Sequence, residues 1–229
     1  MIEIQPRDRK LIDLIYEQQF MSVEQAHGVV FHGMVPRLRR RRIAELAHAG
    51  FIRFEPSPMD PQSRIIRLSK SGIQLAESGR AERIPQLRRI SVERLLHDSM
   101  VTAVRSRLAE LWNATWIPER LIKARADVLH APDGVLVFPS GTTIAIEVEN
   151  APLNARRFRD QLESWRGEKV LLVVYIASGE AIFRTIQAGI KNAPKGLPFA
   201  LLNWTQLEAG VPLAWTMMGE IDLFARREL

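Results

Sequence analysis

The side chains of this chain best placed to do chemistry are three acids: Asp133, Glu147 and Glu149. Glu147 and Glu149 fall in the apolar run Thr143–Val148 and just past it. Alternation there puts Ile144, Ile146 and Val148 on one face and Ala145, Glu147 and Glu149 on the other. The two carboxylates are then neighbours, roughly 7 Å apart at Cα by strand rise. A second apolar run, Val135–Phe138, precedes Pro139-Ser-Gly-Thr142, so the pair reads as a β-hairpin in which Gly141 is free to take positive φ. With residues 138 and 143 paired, Asp133 falls opposite Val148, diagonal to both glutamates. Three acids at one hairpin end read as a metal site or the remains of one. They read equally as a charge cluster neutralised by Arg156, Arg157 or Arg159 on the next helix, because adjacent carboxylates repel.

The other chemistry is cationic. The run Pro36–Ala49 carries Arg37, Arg39, Arg40, Arg41 and Arg42 and is ended by Gly50, with Pro36 suited to the first helical position. At 100° per residue, Leu38, Ile43, Leu46 and Ala47 share one face, and Arg37, Arg40, Arg41, Ala44 and His48 the other. Such a face suits a duplex major groove, where Arg reads guanine edges or meets phosphate. Arg39 and Arg42 fall toward the apolar side; their stems can lie along the core, and Arg42 can pair with Glu45. The alternative is a solvated basic helix with no ligand. Arg64 and Arg67, on a following strand, would touch phosphates and so position the protein without reading sequence.

These elements sit in a recognisable order. Asp8–Tyr16 has a helical period, Ser22-Val-Glu-Gln25 opens a second short helix as a capping box, and Phe31-His-Gly-Met is a turn. After the arginine helix come strands at Phe51–Phe54 and Arg64–Leu68 and a fourth helix at Ser69–Glu77. Three helices, a two-stranded ribbon and a closing helix predict a winged helix-turn-helix over residues 1–80. A basic connector follows at 81–90, then a second domain over 91–229. That domain opens on a long helix, Ser91–Trp112, with Leu96, Met100, Val104, Leu108 and Leu111 as its stripe. His97 and Asp98 lie on it, and a lone histidine there is more often a core residue than a ligand. Thr115–Ile122 reads as a strand, followed by the acidic hairpin, a charged helix at Asn154–Trp165 and a buried strand at Lys169–Ala177. A helix at Gly179–Lys191, a strand at Pro198–Trp204 and a closing α/β segment complete the chain, giving an α/β domain with a mixed central sheet. Trp112, Trp116, Trp165, Trp204 and Trp215 read as core anchors.

Composition narrows the function classes. Hydrophobic residues make up 46% and charged residues 25%, an ordinary globular balance. The absence of cysteine excludes disulfides, Cys-based zinc sites and thiol nucleophiles, and fits a reducing compartment. No export signal or membrane span is visible, the longest apolar run being Val170–Ala177, so a cytoplasmic protein is expected. The net charge of +6 is uneven. Residues 1–110 hold 19 Lys and Arg against 13 Asp and Glu, whereas residues 111–229 hold 13 of each. A polyanionic partner, double-stranded DNA, is thus expected for the N-terminal half.

From residue 132 the chain resembles the PD-(D/E)XK nuclease superfamily: Pro132-Asp133, a hairpin, Glu147-Val-Glu149, then a helix and a buried strand. Joined to a winged helix, with Arg-Ile-Ala-Glu-Leu-Ala-His-Ala-Gly-Phe-Ile at 42–52, it resembles the replication-relaxation proteins of bacterial plasmids and mobile elements. The resemblance implies that Asp133 and Glu147 hold Mg²⁺ or Mn²⁺, which prefer oxygen ligands. It puts Glu149 where active members carry the lysine that orients water. Either Glu149 serves there as a general base, making Asp133, Glu147 and Glu149 the catalytic set of a metal-dependent DNA endonuclease, or catalysis is lost and the fold retained. The expected role is a DNA-binding replication or relaxation accessory, or a transcriptional regulator. A homodimer and replication or relaxation proteins are its expected partners.

Overall fold

The computed structural model describes residues 2–125, 130–166, 170–193 and 198–223. The chain divides into two compact units, Met1–Ala103 and Val104–Leu229. The connector expected between the domains at 81–90, and the first half of the long helix, therefore fall in the first unit.

The first unit is built on α1 (Pro6–Gln18). Leu11, Ile12, Leu14, Ile15 and Tyr16 are all buried, the result of an apolar repeat that covers more than one helix face. After α1 come β1 (Met21–Ser22) and α2 (Val23–Gln25), which the Ser22–Gln25 capping box starts as expected. A π-helical turn, Ala26–Val30, continues it. Next are α3 (Pro36–His48), β2 (Ile52–Pro56), β3 (Arg64–Leu68) and α4 (Lys70–Glu77). The three strands form an antiparallel sheet of order β1-β3-β2. At the end of α3, Phe51 N–H donates to Leu46 O and Gly50 N–H to Ala47 O, satisfying two terminal carbonyls.

The connector packs onto α1 through named hydrogen bonds. Tyr16 Oη accepts from Ile84 N–H at 2.9 Å and donates to Glu77 at 3.1 Å, while Gln19 Oε1 accepts from Leu87 N–H at 2.6 Å. Arg80 stacks over the Tyr16 ring and pairs with Asp13 and Glu17. Sequence composition marked this stretch as a linker because it is basic and contains a proline. Its hydrogen-bonding partners lie some 70 positions away and leave no local signal.

Helix α5 (Val92–Leu111) begins in the first unit. Its buried positions there are Leu95, Asp98, Val101 and Thr102, whereas Leu96 is 48% exposed. In this half the buried stripe is thus rotated from the expected one through Leu96 and Met100, while Val104 and Leu108 are buried as expected. Asp98 accepts from Arg94 at 3.3 Å, and its backbone carbonyl accepts from Thr102.

The second unit holds a seven-stranded mixed sheet of order β10-β9-β8-β7-β6-β5-β4. Its members are β4 (Thr115–Pro118), β5 (Gly134–Val137), β6 (Thr143–Glu149), β7 (Leu172–Ala177), β8 (Phe199–Asn203), β9 (Leu213–Thr216) and β10 (Gly219–Asp222). The strand expected over Thr115–Ile122 stops at Pro118, where α6 (Glu119–Ala124) begins. Pairs β6–β7 and β7–β8 are parallel and the rest antiparallel. The parallel steps cross over through α7 (Ala155–Ser164) and α8 (Glu180–Lys191). Phe158 and Leu162 of α7 and Ile186 and Ile190 of α8 share one core cluster with Ala145, Val173, Tyr175 and Leu201. Both crossover helices therefore cover the same sheet face, as two crossovers of one hand moving in one direction require.

On the opposite face, the Trp116 ring lies over Gly134. A Cβ at residue 134 would sit 2.0 Å from Trp116 Cζ2. Replacing Gly134 by Ala is expected to destabilise the second unit by roughly 1–3 kcal/mol through overpacking. A urea titration followed by tryptophan fluorescence checks this; an unchanged midpoint would contradict the close approach.

Candidate functional site

The acidic hairpin forms, with a register one residue from the expected one. Gly134 faces Ile146 and Val137 faces Thr143, so Asp133 lies next in line opposite Glu147, not Val148. The turn is the reason. Phe138 N–H donates to Thr142 O, Gly141 N–H donates to Phe138 O, and Gly141 has φ +83°. This is a three-residue loop with a left-handed glycine, whereas pairing 138 with 143 would need four residues between the strands. The shift places Asp133, Glu147 and Glu149 on one sheet face, beneath α7.

Glu147 is the centre of this corner and is only 4% exposed. Its Oε1 shares a hydrogen bond with His130 Nε2, and Gln161 of α7 also hydrogen-bonds to it. Trp165, also from the α7 end, meets the His130 ring edge-on at a centroid distance of 5.1 Å and donates Nε1–H to Tyr175 Oη at 3.3 Å. Asp133 Oδ2 accepts from the Val148 backbone N–H at 2.7 Å. Burial pushes the Glu147 carboxyl up to about 7, with the nearby Asp133 charge adding to it and the His130 hydrogen bond opposing. Burial, the largest single influence, works against charge on His130, but the hydrogen bond to Glu147 and the Glu147 and Asp133 charges together outweigh it and its pKa is raised. Tyr175 is held well above its ordinary value by burial and by the Glu147 charge.

Both members of the His130–Glu147 pair therefore hold protons more tightly when folded than when unfolded. Stability they contribute is fully present below the unfolded carboxylate range and is lost as pH rises through neutrality. Raising pH from 5 to 8 is expected to lower the stability of the second unit by on the order of 2 kcal/mol. Glu147→Gln is expected to flatten that dependence. Urea midpoints at the two pH values check both statements, and a wild-type midpoint that rises with pH would contradict them.

As arranged, two of the oxygens expected to hold the metal already have partners. One Asp133 oxygen takes a backbone N–H and one Glu147 oxygen is engaged by His130. Among the described residues no three His, Asp or Glu side chains converge to hold an ion. Mg²⁺ and Mn²⁺ want several unencumbered oxygens around an open centre. The neutralising partner of Glu147 is His130 rather than an α7 arginine. His130 opens the very stretch that carries the acids, yet its role was not legible, because nothing local says which acid a loop histidine meets.

In the first unit the arginines expected to meet DNA differ in their exposure. Arg37, Arg40, Arg41, His48 and Arg64 are exposed. Arg41 pairs with Glu45 at 2.7 Å but remains 73% exposed, and Arg40 Nε donates to Pro36 O. Arg39 is half-buried; its charge, second to burial, holds the His27 imidazole below its ordinary value. Arg42 and Arg67 turn inward. Arg42 clamps the fully buried Asp8 at 2.5 Å and 3.0 Å and also meets Glu45 at 3.1 Å. Arg67 meets Glu55 and the carbonyls of Leu87 and Arg88. These two are structural, and the accessible cationic face is correspondingly smaller than the sequence count. Leu38, expected in the core, is 48% exposed; only Ile43 and Leu46 of α3 are fully buried. One cation was missed. Arg7 at the start of α1 reaches Met34 beside the α3 N-terminus, with Nη1 2.8 Å from the sulfur.

Comparison with protein-family models, curated proteins and solved structures finds no match to this chain. No helix among the described residues is long and apolar enough to cross a membrane.

Proposed function

We propose that this chain is a double-stranded DNA-binding protein whose first unit is a winged helix-turn-helix with α3 as its recognition helix. The observation that carries the reading is the setting of α3. It is anchored by Ile43, Leu46 and the Arg42–Asp8 clamp, and it leaves Arg37, Arg40, Arg41 and His48 in solvent. The element order α1-β1-α2-α3-β2-β3, with β1 pairing β3, supports it. Guanidinium groups on an exposed helix of this kind meet phosphates and guanine edges. Arg64 at the tip of the β2–β3 ribbon adds a backbone contact. Fluorescence anisotropy of a labelled duplex titrated with the full chain tests the reading: saturable binding that weakens steeply with salt is expected, and binding absent even at low salt would sink it.

In this reading the second unit is a PD-(D/E)XK-like domain that serves assembly or additional DNA contact rather than cleavage. What favours this over the endonuclease is the corner itself, with Glu147 buried, hydrogen-bonded to His130 and Gln161, and Trp165 set edge-on to the His130 ring. Supercoiled plasmid incubated with the protein and Mg²⁺ or Mn²⁺ is expected to remain uncut. Nicking that disappears in Asp133→Ala and Glu147→Ala would establish the enzyme instead. The biological role that fits is a plasmid replication or relaxation accessory, or a transcriptional regulator.

A further inference from the structure

The exposed face of α3 is not uniformly cationic. Val35, its N-cap residue, is 58% exposed, and Leu38, three residues on, is 48% exposed. Residues three apart on a helical turn are neighbours, so the two side chains form one patch. Met34 adjoins it, and Arg7 and Arg41 flank it in a shallow depression of about 580 Å³. A single exposed leucine needs no explanation, but two adjoining apolar side chains beside Arg7 and Arg41 do, in a depression that the paired Arg42 and Glu45 also line. Leu38 could have been turned to the core by a rotation of α3. The Arg42–Asp8 clamp fixes that rotation instead, so the geometry that buries Asp8 also presents Leu38.

The position matters as much as the character. Where a recognition helix enters the major groove, its N-terminal residues contact base edges. The apolar group displayed there is the thymine 5-methyl, and aliphatic side chains meet it by direct contact. We propose that Val35 and Leu38 read thymine methyls, making this protein selective for thymine-containing steps next to the sites its arginines occupy. The flanking Arg7 and Arg41, with the exposed Arg37 on the same helix, supply the charge complementarity that brings a duplex, rather than an apolar protein surface, to this patch. This inference rests on the DNA-binding reading of α3.

The test replaces the methyl and nothing else. A duplex pool selected by the full-length protein is amplified once with thymidine and once with deoxyuridine triphosphate, and both products are titrated by anisotropy. Wild type is expected to bind the uracil duplex about fourfold more weakly per methyl contacted, equivalent to ~0.8 kcal/mol for one buried methyl-sized group. The Val35→Ala/Leu38→Ala variant, whose changes lie on the surface, is expected to bind the two duplexes within twofold of one another. Equal wild-type affinity for both duplexes would overturn the methyl reading, as would undiminished discrimination by the double variant. Either result leaves DNA binding through the arginines intact. Failure of the wild type to bind any duplex would remove the DNA reading and this inference with it.

Discussion

Asp8→Ala is expected to destabilise the first unit by about 3–5 kcal/mol, the cost of stranding one partner of a buried ion pair. Asp8 has no exposed surface, and two groups depend on it. Gln5 N–H donates to its Oδ2 at 2.8 Å as part of the α1 capping box, and the Arg42 guanidinium grips both oxygens. Without the carboxylate, Arg42 retains Glu45 and the Glu3 carbonyl but keeps a largely buried charge with its main counter-ion gone. A domain of this size is stable by only roughly 5–15 kcal/mol in total, so the loss is a large share. Replacing both partners with apolar residues, Asp8→Leu with Arg42→Met, is expected to recover more than half of it, because no charge is then left unpaired. Urea denaturation followed by circular dichroism measures each variant. A loss below about 1 kcal/mol for Asp8→Ala would mean the pair is solvated and does not set the angle of α3.

The second large effect is on binding. Substituting Arg37, Arg40 and Arg41 together by alanine is expected to lower duplex affinity roughly 100-fold or more near physiological salt, taking each guanidinium contact at ~1–3 kcal/mol. The Arg41–Glu45 pair does not argue against this. At 73% exposure for the arginine it is a surface pair that yields little stability and releases its guanidinium readily. Fold stability is expected to be nearly unchanged, since the three side chains lie in solvent. An unchanged urea midpoint beside a weakened affinity would separate an effect on binding from one on folding. Arg67→Ala is the useful contrast: it removes a buried clamp on Leu87 and Glu55, so its effect is expected on stability first.

Much of the architecture was legible in the sequence because its signals are local. The capping box at Ser22, Pro36 opening α3, the alternation in Thr143–Glu149 and the apolar run leading into β7 each act within one element. What was not legible depended on partners far along the chain. Arg42 and Arg67 are indistinguishable from Arg40 or Arg64 by residue type alone. Only the fold shows that Asp8 lies under one and the carbonyls of Leu87 and Arg88 beside the other. The hairpin register turned on whether the loop has three residues or four, and Pro139-Ser-Gly-Thr142 is compatible with either until Gly141 is seen at positive φ. Likewise three acids could be placed near one another from alternation, but the sequence gives no sign that His130 closes over Glu147. That pairing engages one oxygen of an acid expected to hold the metal.

The reading of α3 as a DNA-contacting helix is tested most directly by salt dependence. Duplex affinity is measured between about 50 and 200 mM monovalent salt for wild type and for Arg37→Ala/Arg40→Ala/Arg41→Ala. The wild-type plot of log affinity against log salt is expected to fall linearly, and the variant's slope to be shallower by about 0.9 for each phosphate that is no longer neutralised. Parallel slopes with equal affinities would contradict the assignment of DNA binding to this helix.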